Sequence, residues 1–236
     1  MRLDKLLAHM GIGSRKEVKS LIRKGLILVN GEPVFNDDFK VDEDADEIYL
    51  LEEKISFQKE IYILLNKPQG YVCATNDPVN PTVIDLVSNG QKGIFPVGRL
   101  DKDTTGLLLI TNNGKLAHEL LSPKHHVAKT YELTFTGVFH PSYFKRFEDG
   151  IVLEDGTLCK PASFVLDAPN QGRITIYEGK YHQVKRMMQA LDMEVTSLKR
   201  ISFGGLELPK DLKEGEFRPL TAMEYQSLKK NIENMD

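Results

Sequence analysis

Asp101 and Asp103 stand in a polar, glycine-bounded run, Gly98-Arg99-Leu100-Asp101-Lys102-Asp103-Thr104-Thr105-Gly106, and the apolar Leu107-Leu108-Leu109-Ile110 follows at once. The apolar run reads as a buried strand and Asn113-Gly114 as a turn. A carboxylate held at the mouth of a strand can serve as nucleophile, base or metal ligand. A pair of aspartates in a turn can equally be a capped, solvated bend. Taken alone, the spacing leaves these readings open.

The elements that must hold this loop are mostly strands. Ile61–Leu65, Leu107–Thr111, Lys129–Thr136, Lys160–Leu166, Arg173–Tyr177 and Val195–Ile201 are strand-like. Between them lie helical candidates at Lys115–Leu121, Pro141–Asp149 and Gln183–Leu191, and a last helix starts at Thr221 with Glu224 as its capping-box partner. Strands decorated by helices predict an α+β domain over residues 60–232 with a mixed or antiparallel sheet. Cys73 and Cys159 are too few and too distant for a metal knuckle or a disulfide scaffold, and read as core residues of a cytoplasmic protein. His125-His126 are adjacent, so their side chains diverge in an extended segment, which argues against a zinc site. No apolar run approaches the ~18–20 residues of a membrane span, and Met1-Arg2-Leu3-Asp4-Lys5 is not a signal peptide.

Residues 1–57 form a separate module. The net charge of −3 is spread unevenly. Residues 1–35 carry seven Lys/Arg against three acids, whereas residues 36–60 carry ten acids against three lysines. A basic head joined to an acidic neck points towards nucleic acid. Leu3, Leu6 and Leu7 recur at helical spacing, Ser14 and Glu17 make a capping box, and Asn30-Gly31 after Leu26–Val29 makes a hairpin turn. At ~100° per residue, Arg15, Lys16, Lys19 and Arg23 share one arc of the second helix, displaced from its apolar face. On charge alone that arc is as readily a solvated face as a phosphate-binding one.

The order of elements in the head resembles the RNA-binding domain named after ribosomal protein S4. The motifs that carry this are Met1-Arg2-Leu3-Asp4-Lys5-Leu6-Leu7, Ser14-Arg15 and Val29-Asn30-Gly31. The resemblance implies RNA contacts from Arg2, Arg15, Lys16, Lys19 and Arg23. In the second domain, Asp-x-Asp-Thr also resembles the phosphoryl-transfer signature of haloacid-dehalogenase-type enzymes. There an apolar strand leads into the first aspartate, and here it follows, so the order is wrong. Gly98-Arg99-Leu100-Asp101 with Gly106-Leu107-Leu108-Leu109 resembles instead the catalytic loop of pseudouridine synthases. Lys67-Pro68-Gln69-Gly70, Lys129-Thr130-Tyr131 and Glu178-Gly179-Lys180-Tyr181-His182-Gln183-Val184-Lys185-Arg186-Met187 resemble further motifs of that family, in the right order. Ser122-Pro123-Lys124-His125-His126 and Tyr181-His182-Gln183 are similar to its RsuA branch, which modifies small-subunit (16S) rRNA.

That resemblance implies catalysis by Asp101, Tyr131 and Lys185: a reactive carboxylate, a ring against the uracil, and a cation that keeps the carboxylate ionised. It implies substrate contacts from Arg99, Leu100, Val184, Lys67, His182 and Arg186, with Arg99 filling the gap of a flipped-out uridine or holding its phosphate. Asp103 would brace the loop. Lys124, His125, His126, Lys129, Lys180, Lys199 and Arg200 would complete an RNA-facing rim with His182 and Arg186. The isomerisation exchanges no electrons or groups with a second molecule, so neither metal nor cofactor is expected. The expected partner of this monomer is 16S rRNA, free or in a partly assembled small subunit, and no membrane. Large-subunit rRNA is the alternative target, and a catalytically idle RNA-binding ribosome-assembly factor the alternative class.

Overall fold

The computed structural model describes residues 1–42, 45–55, 60–87 and 93–233. The chain divides into two compact units, the first over Met1–Glu60 and the second beginning at Ile61.

In the first unit, helices α1 (Leu3–His9) and α2 (Arg15–Arg23) precede strands β1 (Ile27–Val29), β2 (Glu32–Pro33), β3 (Ile48–Leu50) and β4 (Glu53–Ile55). The capping box at α2 is formed: the Ser14 N–H donates to Glu17 Oε2 at 2.7 Å, and the Glu17 N–H donates to Ser14 Oγ. Asn30 and Gly31 both take positive φ and join β1 to β2 in a two-residue hairpin, with Val29 opposite Glu32. The sheet order is β2-β1-β3-β4. The acidic stretch read as a neck therefore contributes two strands to this sheet. Leu3, Leu6, Leu7, Val18, Ile22, Ile27 and Val29 pack beneath it, which turns the charged side of α2 outwards.

The second unit is a mixed nine-stranded sheet. Its elements in chain order are β5 (Tyr62–Lys67), α3 (Val83–Val87), β6 (Phe95–Pro96), β7 (Thr105–Thr111), α4 (Gly114–Leu121), β8 (Lys129–Thr136) and α5 (Ser142–Asp149). They continue as β9 (Ser163–Ala168), β10 (Gln171–Ile176), α6 (Gln183–Gln189), β11 (Glu194–Phe203), β12 (Leu206–Glu207), β13 (Phe217–Pro219) and α7 (Ala222–Glu233). The order is β13-β5-β7-β11-β8-β10-β9, with β6 on β7 and β12 on β11. Only β7–β11 pairs in parallel among the described strands. Strand β7 is buried along its whole length because its alternate residues feed two cores. Leu108 and Ile110 join Tyr131, Leu133 and Met187 on one face, while Leu107 and Leu109 join Leu116, Leu120 and Phe203 on the other. Among the described residues no helix is long and apolar enough to cross a membrane.

Helix α7 is tied to the sheet edge by charge. Arg218 of β13 donates through both Nη atoms to the Glu224 carboxylate, at 2.7 Å each, and Glu224 Oε2 also accepts the Thr221 N–H at 2.8 Å. Arg218's hydrogen bonds, opposed by partial burial and reinforced by Thr221, hold the Glu224 carboxyl at about 2 instead of 4.5. The resulting stability is fully present above the unfolded carboxyl's range and is lost as pH falls towards 2. Glu224→Gln is therefore expected to cost about 2 kcal/mol at pH 7, and denaturant unfolding should show the difference from the parent vanishing near pH 2.

Candidate active site

The loop 98–104 carries Asp101, and it is held from below by one buried cation. Strand β5 pairs with β7 so that Lys67 lies opposite Gly106. The Lys67 side chain is sealed from solvent and runs under the loop. Its Nζ donates to Thr104 O at 2.8 Å, to Asp101 O and Pro68 O at 3.1 Å, and to Lys102 O at 3.4 Å. Burial lowers the proton affinity of Lys67, while nearby Cys73, Asp103 and Asp101 oppose that shift. Two further bonds fix the loop: the Gly70 N–H donates to Lys102 O at 2.8 Å, and the Leu100 N–H to Cys73 Sγ at 3.2 Å. Lys67 is thus a brace of the loop backbone and does not line the cavity as a substrate contact. Its ammonium is consumed by carbonyls.

Gly106 closes the loop onto β11. Its φ is +102°, and a Cβ there would lie 2.2 Å from Arg200 O. The parallel pairing of β7 with β11 needs this absence of a side chain.

Helix α6 brings the Lys185 ammonium to Asp101 from 84 residues away in sequence. Lys185 Nζ stands 3.2 Å from Asp101 Oδ2 and 2.6 Å from Asp103 Oδ1. His182 Nε2 lies 3.5 Å from Asp101 Oδ1. Asp101 and Lys185 side chains are only 28% and 25% exposed, whereas Asp103 is 68% exposed. Burial pulls the Lys185 ammonium down, but hydrogen bonds to Asp103 and Asp101 outweigh it and the net shift is upwards. Lys185, opposed by burial, holds the Asp103 carboxyl below its ordinary value. His182 takes a left-handed conformation at the start of α6, with φ 48°, and Tyr181 stacks on its ring at 3.8 Å. The turn before α6 is fixed by Gln183, whose Oε1 accepts the Lys180 N–H and whose Nε2 donates to Glu178 Oε1, each at 2.9 Å. Residues 180 and 183 have a capping-like spacing, so this bracket was readable in principle.

Asp101 borders a cavity of about 480 Å³, within the roughly 300–1,000 Å³ usual for small-molecule sites. Arg99, Leu100, Tyr131, His182 and Val184 line it, as expected from the sequence, and so do Lys129, Glu178 and Arg200. Strand register explains the floor. Tyr131 of β8 lies opposite Ile174 of β10 and Arg200 of β11, so these side chains share one face.

Besides Lys67, three sequence expectations need correction. Arg186 is turned away from the cavity and pairs with Asp155 at 2.5 Å, because it follows Lys185 by one helical position and so faces about 100° away. Arg200 is only 2% exposed and is not on a solvent-facing rim, since β11 is an interior strand. Lys129 is half-buried with its Nζ donating to Val127 O at 2.9 Å. The remaining rim candidates stay near the surface: Lys124, His126, Lys180 and Lys199 are exposed or half-buried, and His125 Nδ1 lies 2.8 Å from Glu119 O.

In the first unit the basic arc is partly neutralised. Arg2 meets Asp4 at 3.0 Å and Asp38 at 2.5 Å, Lys19 meets Asp37 at 3.3 Å, and Arg23 meets Asp37 at 2.9 Å. Arg15 and Lys16 are exposed.

Residues 61–190 match the family model described as RNA pseudouridylate synthase, and residues 1–48 match the S4 domain. An uncharacterized RNA pseudouridine synthase of Bacillus subtilis (strain 168) is 44% identical over 234 residues, 97% of this chain and 98% of its own. Ribosomal small subunit pseudouridine synthase A of Escherichia coli (strain K12) is 41% identical over 230 residues, 97% of this chain and 100% of its own. A crystal structure of a pseudouridylate synthase is similar with a TM-score of 0.70 at 37% identity, covering 97% of this chain and 99% of that one.

Lys67→Met removes the loop's brace and leaves inward carbonyls without a donor. The expected loss is about 3 kcal/mol or more, read as a lower denaturant midpoint with an unchanged slope. An unchanged midpoint would mean that Gly70 and Cys73 suffice to hold the loop.

Proposed function

The chain belongs to the RNA pseudouridylate synthase family, and we propose that it converts a uridine of small-subunit (16S) ribosomal RNA to pseudouridine with Asp101 as the reactive carboxylate. The observation that carries this reading is the carboxylate itself. It stands at the edge of a nucleoside-sized cavity, between the Lys185 ammonium at 3.2 Å and the His182 ring at 3.5 Å.

The reaction breaks the bond from ribose C1′ to uracil N1 and makes one from C1′ to C5. Atoms and electrons stay within one nucleotide; C5 gives up a proton and N1 gains one. An ionised carboxylate serves either route, by adding to C1′ or by taking a ribose proton beside it. Lys185 sets a positive charge 3.2 Å from that carboxylate, at a position where both side chains are largely withdrawn from water. Tyr131 offers its ring to the extruded uracil, Leu100 and Val184 form apolar walls, and exposed Arg99 meets the backbone or the gap left in the RNA. The small-subunit assignment is supported by the full-length similarity to a ribosomal small subunit pseudouridine synthase. Arg15 and Lys16 of the S4 domain supply phosphate contacts that hold the rRNA.

Asp101→Asn keeps the size of the side chain and removes its charge. It is expected to abolish pseudouridine formation while changing RNA affinity by no more than a few-fold; a variant with full turnover would end the assignment. Site-resolved pseudouridine mapping of rRNA with and without this gene should show the loss of a 16S position, and loss of a large-subunit position instead would redirect the target. Replacing both Arg15 and Lys16 by Ala should flatten the slope of log affinity against log salt by about 1.4–1.8, the release expected for two phosphate contacts.

A further inference from the structure

The cavity floor holds two cations that the reaction described so far does not use. Arg200 is among the largest fully buried side chains described, yet among the described residues the one hydrogen bond its five N–H donors make is from Nε to Leu107 O at 2.8 Å. Its Nη2 is sealed and unpartnered. Lys129 comes from the neighbouring strand, and both cations lie over one ring: Arg200 Cζ is 4.7 Å and Lys129 Nζ 5.7 Å from the Phe203 centroid. Among the described residues neither forms an ion pair. The nearest acid in influence, Glu178, is committed elsewhere: it binds the Lys180 ammonium, the Lys160 N–H at 3.0 Å and Gln183 Nε2 at 2.9 Å. Two like charges side by side in largely buried positions, without a carboxylate between them, are costly unless a ligand brings electron density to them.

We propose that Arg200 and Lys129 form an anion-accepting floor that takes up the negative charge of the uracil ring as it leaves ribose. This rests on the function proposed above. When the N1–C1′ bond breaks, its electron pair stays with the base and spreads over N1 and the two carbonyl oxygens. The electron-poor C1′ is satisfied first by Asp101, or by an adjacent C–H pair in the alternative route, and then by C5. Asp101 and Lys185 thus serve the sugar, and the floor serves the base. A fixed cation stabilises charge that develops only in the transition state, so it raises the rate of the bound complex and not its affinity. The titratable side chains sharing this cavity with Lys129 are Arg200, Glu178, Lys180, Tyr131, Tyr177, Asp101, Arg99 and His182. Burial, then the charge of Arg200, with Glu178 opposing, brings Lys129 down to about 8, so it is cationic at neutral pH and loses that charge just above.

The test is single-turnover pseudouridine formation by the full chain on small-subunit RNA and particles from cells lacking this gene, with RNA affinity measured alongside. Lys129→Met should slow the bound complex about 100-fold while the RNA Kd stays within about threefold, as for loss of one charge-stabilising donor. The parent rate should fall as pH rises past about 8, and Lys129→Arg should keep the rate and lose that fall. Arg200→Lys, which keeps a buried cation in place, should slow the step by about 10-fold or more without loss of fold by circular dichroism. Parent-like rates in folded Lys129→Met and Arg200→Lys would overturn the inference and leave the function standing. So would a weaker RNA Kd with an unchanged bound-state rate, which would make the floor a phosphate holder. A fall past pH 8 that persists in Lys129→Arg would also overturn it. An inert parent protein would overturn both readings, because then no base leaves.

Discussion

The buried ammonium of Lys67 is the interaction on which the site depends. A loop that must aim a carboxylate at a cavity cannot spend its backbone groups on a sheet ladder, so its carbonyls turn inwards and need donors. Lys67 supplies four contacts from one atom, at 2.8 to 3.4 Å. The cost of burying its charge is offset by those converging carbonyl dipoles and by the carboxylates of the loop itself. A neutral donor of similar length could not satisfy so many acceptors. The braced loop then presents Asp101 at the cavity edge in one orientation, which is what the proposed reaction at a single ribose carbon would require.

With the loop fixed, position elsewhere follows from strand register. Lys67 sits opposite Gly106, Gly106 lies beside Arg200, and Arg200 sits opposite Tyr131. That chain of neighbours crosses β5, β7, β11 and β8, so the brace, the cavity floor and the aromatic wall are set by the same ladder. A one-residue slip in any pairing would turn a floor side chain to the opposite core. Gly106 is the narrowest point of the series, since even one methyl group would meet the Arg200 carbonyl. Helix α6 then adds Lys185 and His182 from the remaining side, held by the Glu178–Gln183 bracket.

Much of this is legible in the sequence, and the failures have two physical origins. Lys129–Thr136 is a strand with the bounds its alternation predicted, and the Thr221–Glu224 capping box is formed where spacing placed it. The short strands β3, β4, β6, β12 and β13 lack enough residues to show a period, so they went unread. A cation's residue type argues for exposure and so assigns Lys67 to the substrate and Arg200 to the surface, whereas burial depends on what lies across the sheet. A signal was present for both. Lys67 follows Leu65 by two and Arg200 follows Leu198 by two, each on the same strand face as a core residue.

Charge in the first unit follows a different logic. The excess of Lys and Arg in residues 1–35 suggested an open basic face, yet Arg2, Lys19 and Arg23 are engaged by Asp4, Asp37 and Asp38. The acids come from the start of α1 and from the loop after β2, so the fold returns part of the acidic stretch to the basic arc. The paired cations are at least 37% exposed, and ion pairs with so solvated a partner contribute about 1 kcal/mol each and are screened by salt. They fix side-chain positions without strongly opposing a phosphate that offers the same charge with more acceptor oxygens. An RNA backbone exchanging with Asp37 would gain less from Lys19 and Arg23 than from open cations, because the displaced carboxylate must be resolvated. Sequence charge counts therefore overstate the attraction of this face for a phosphate, and Arg15 and Lys16, exposed and without an ion pair among the described residues, would carry the larger share of it in the proposed complex.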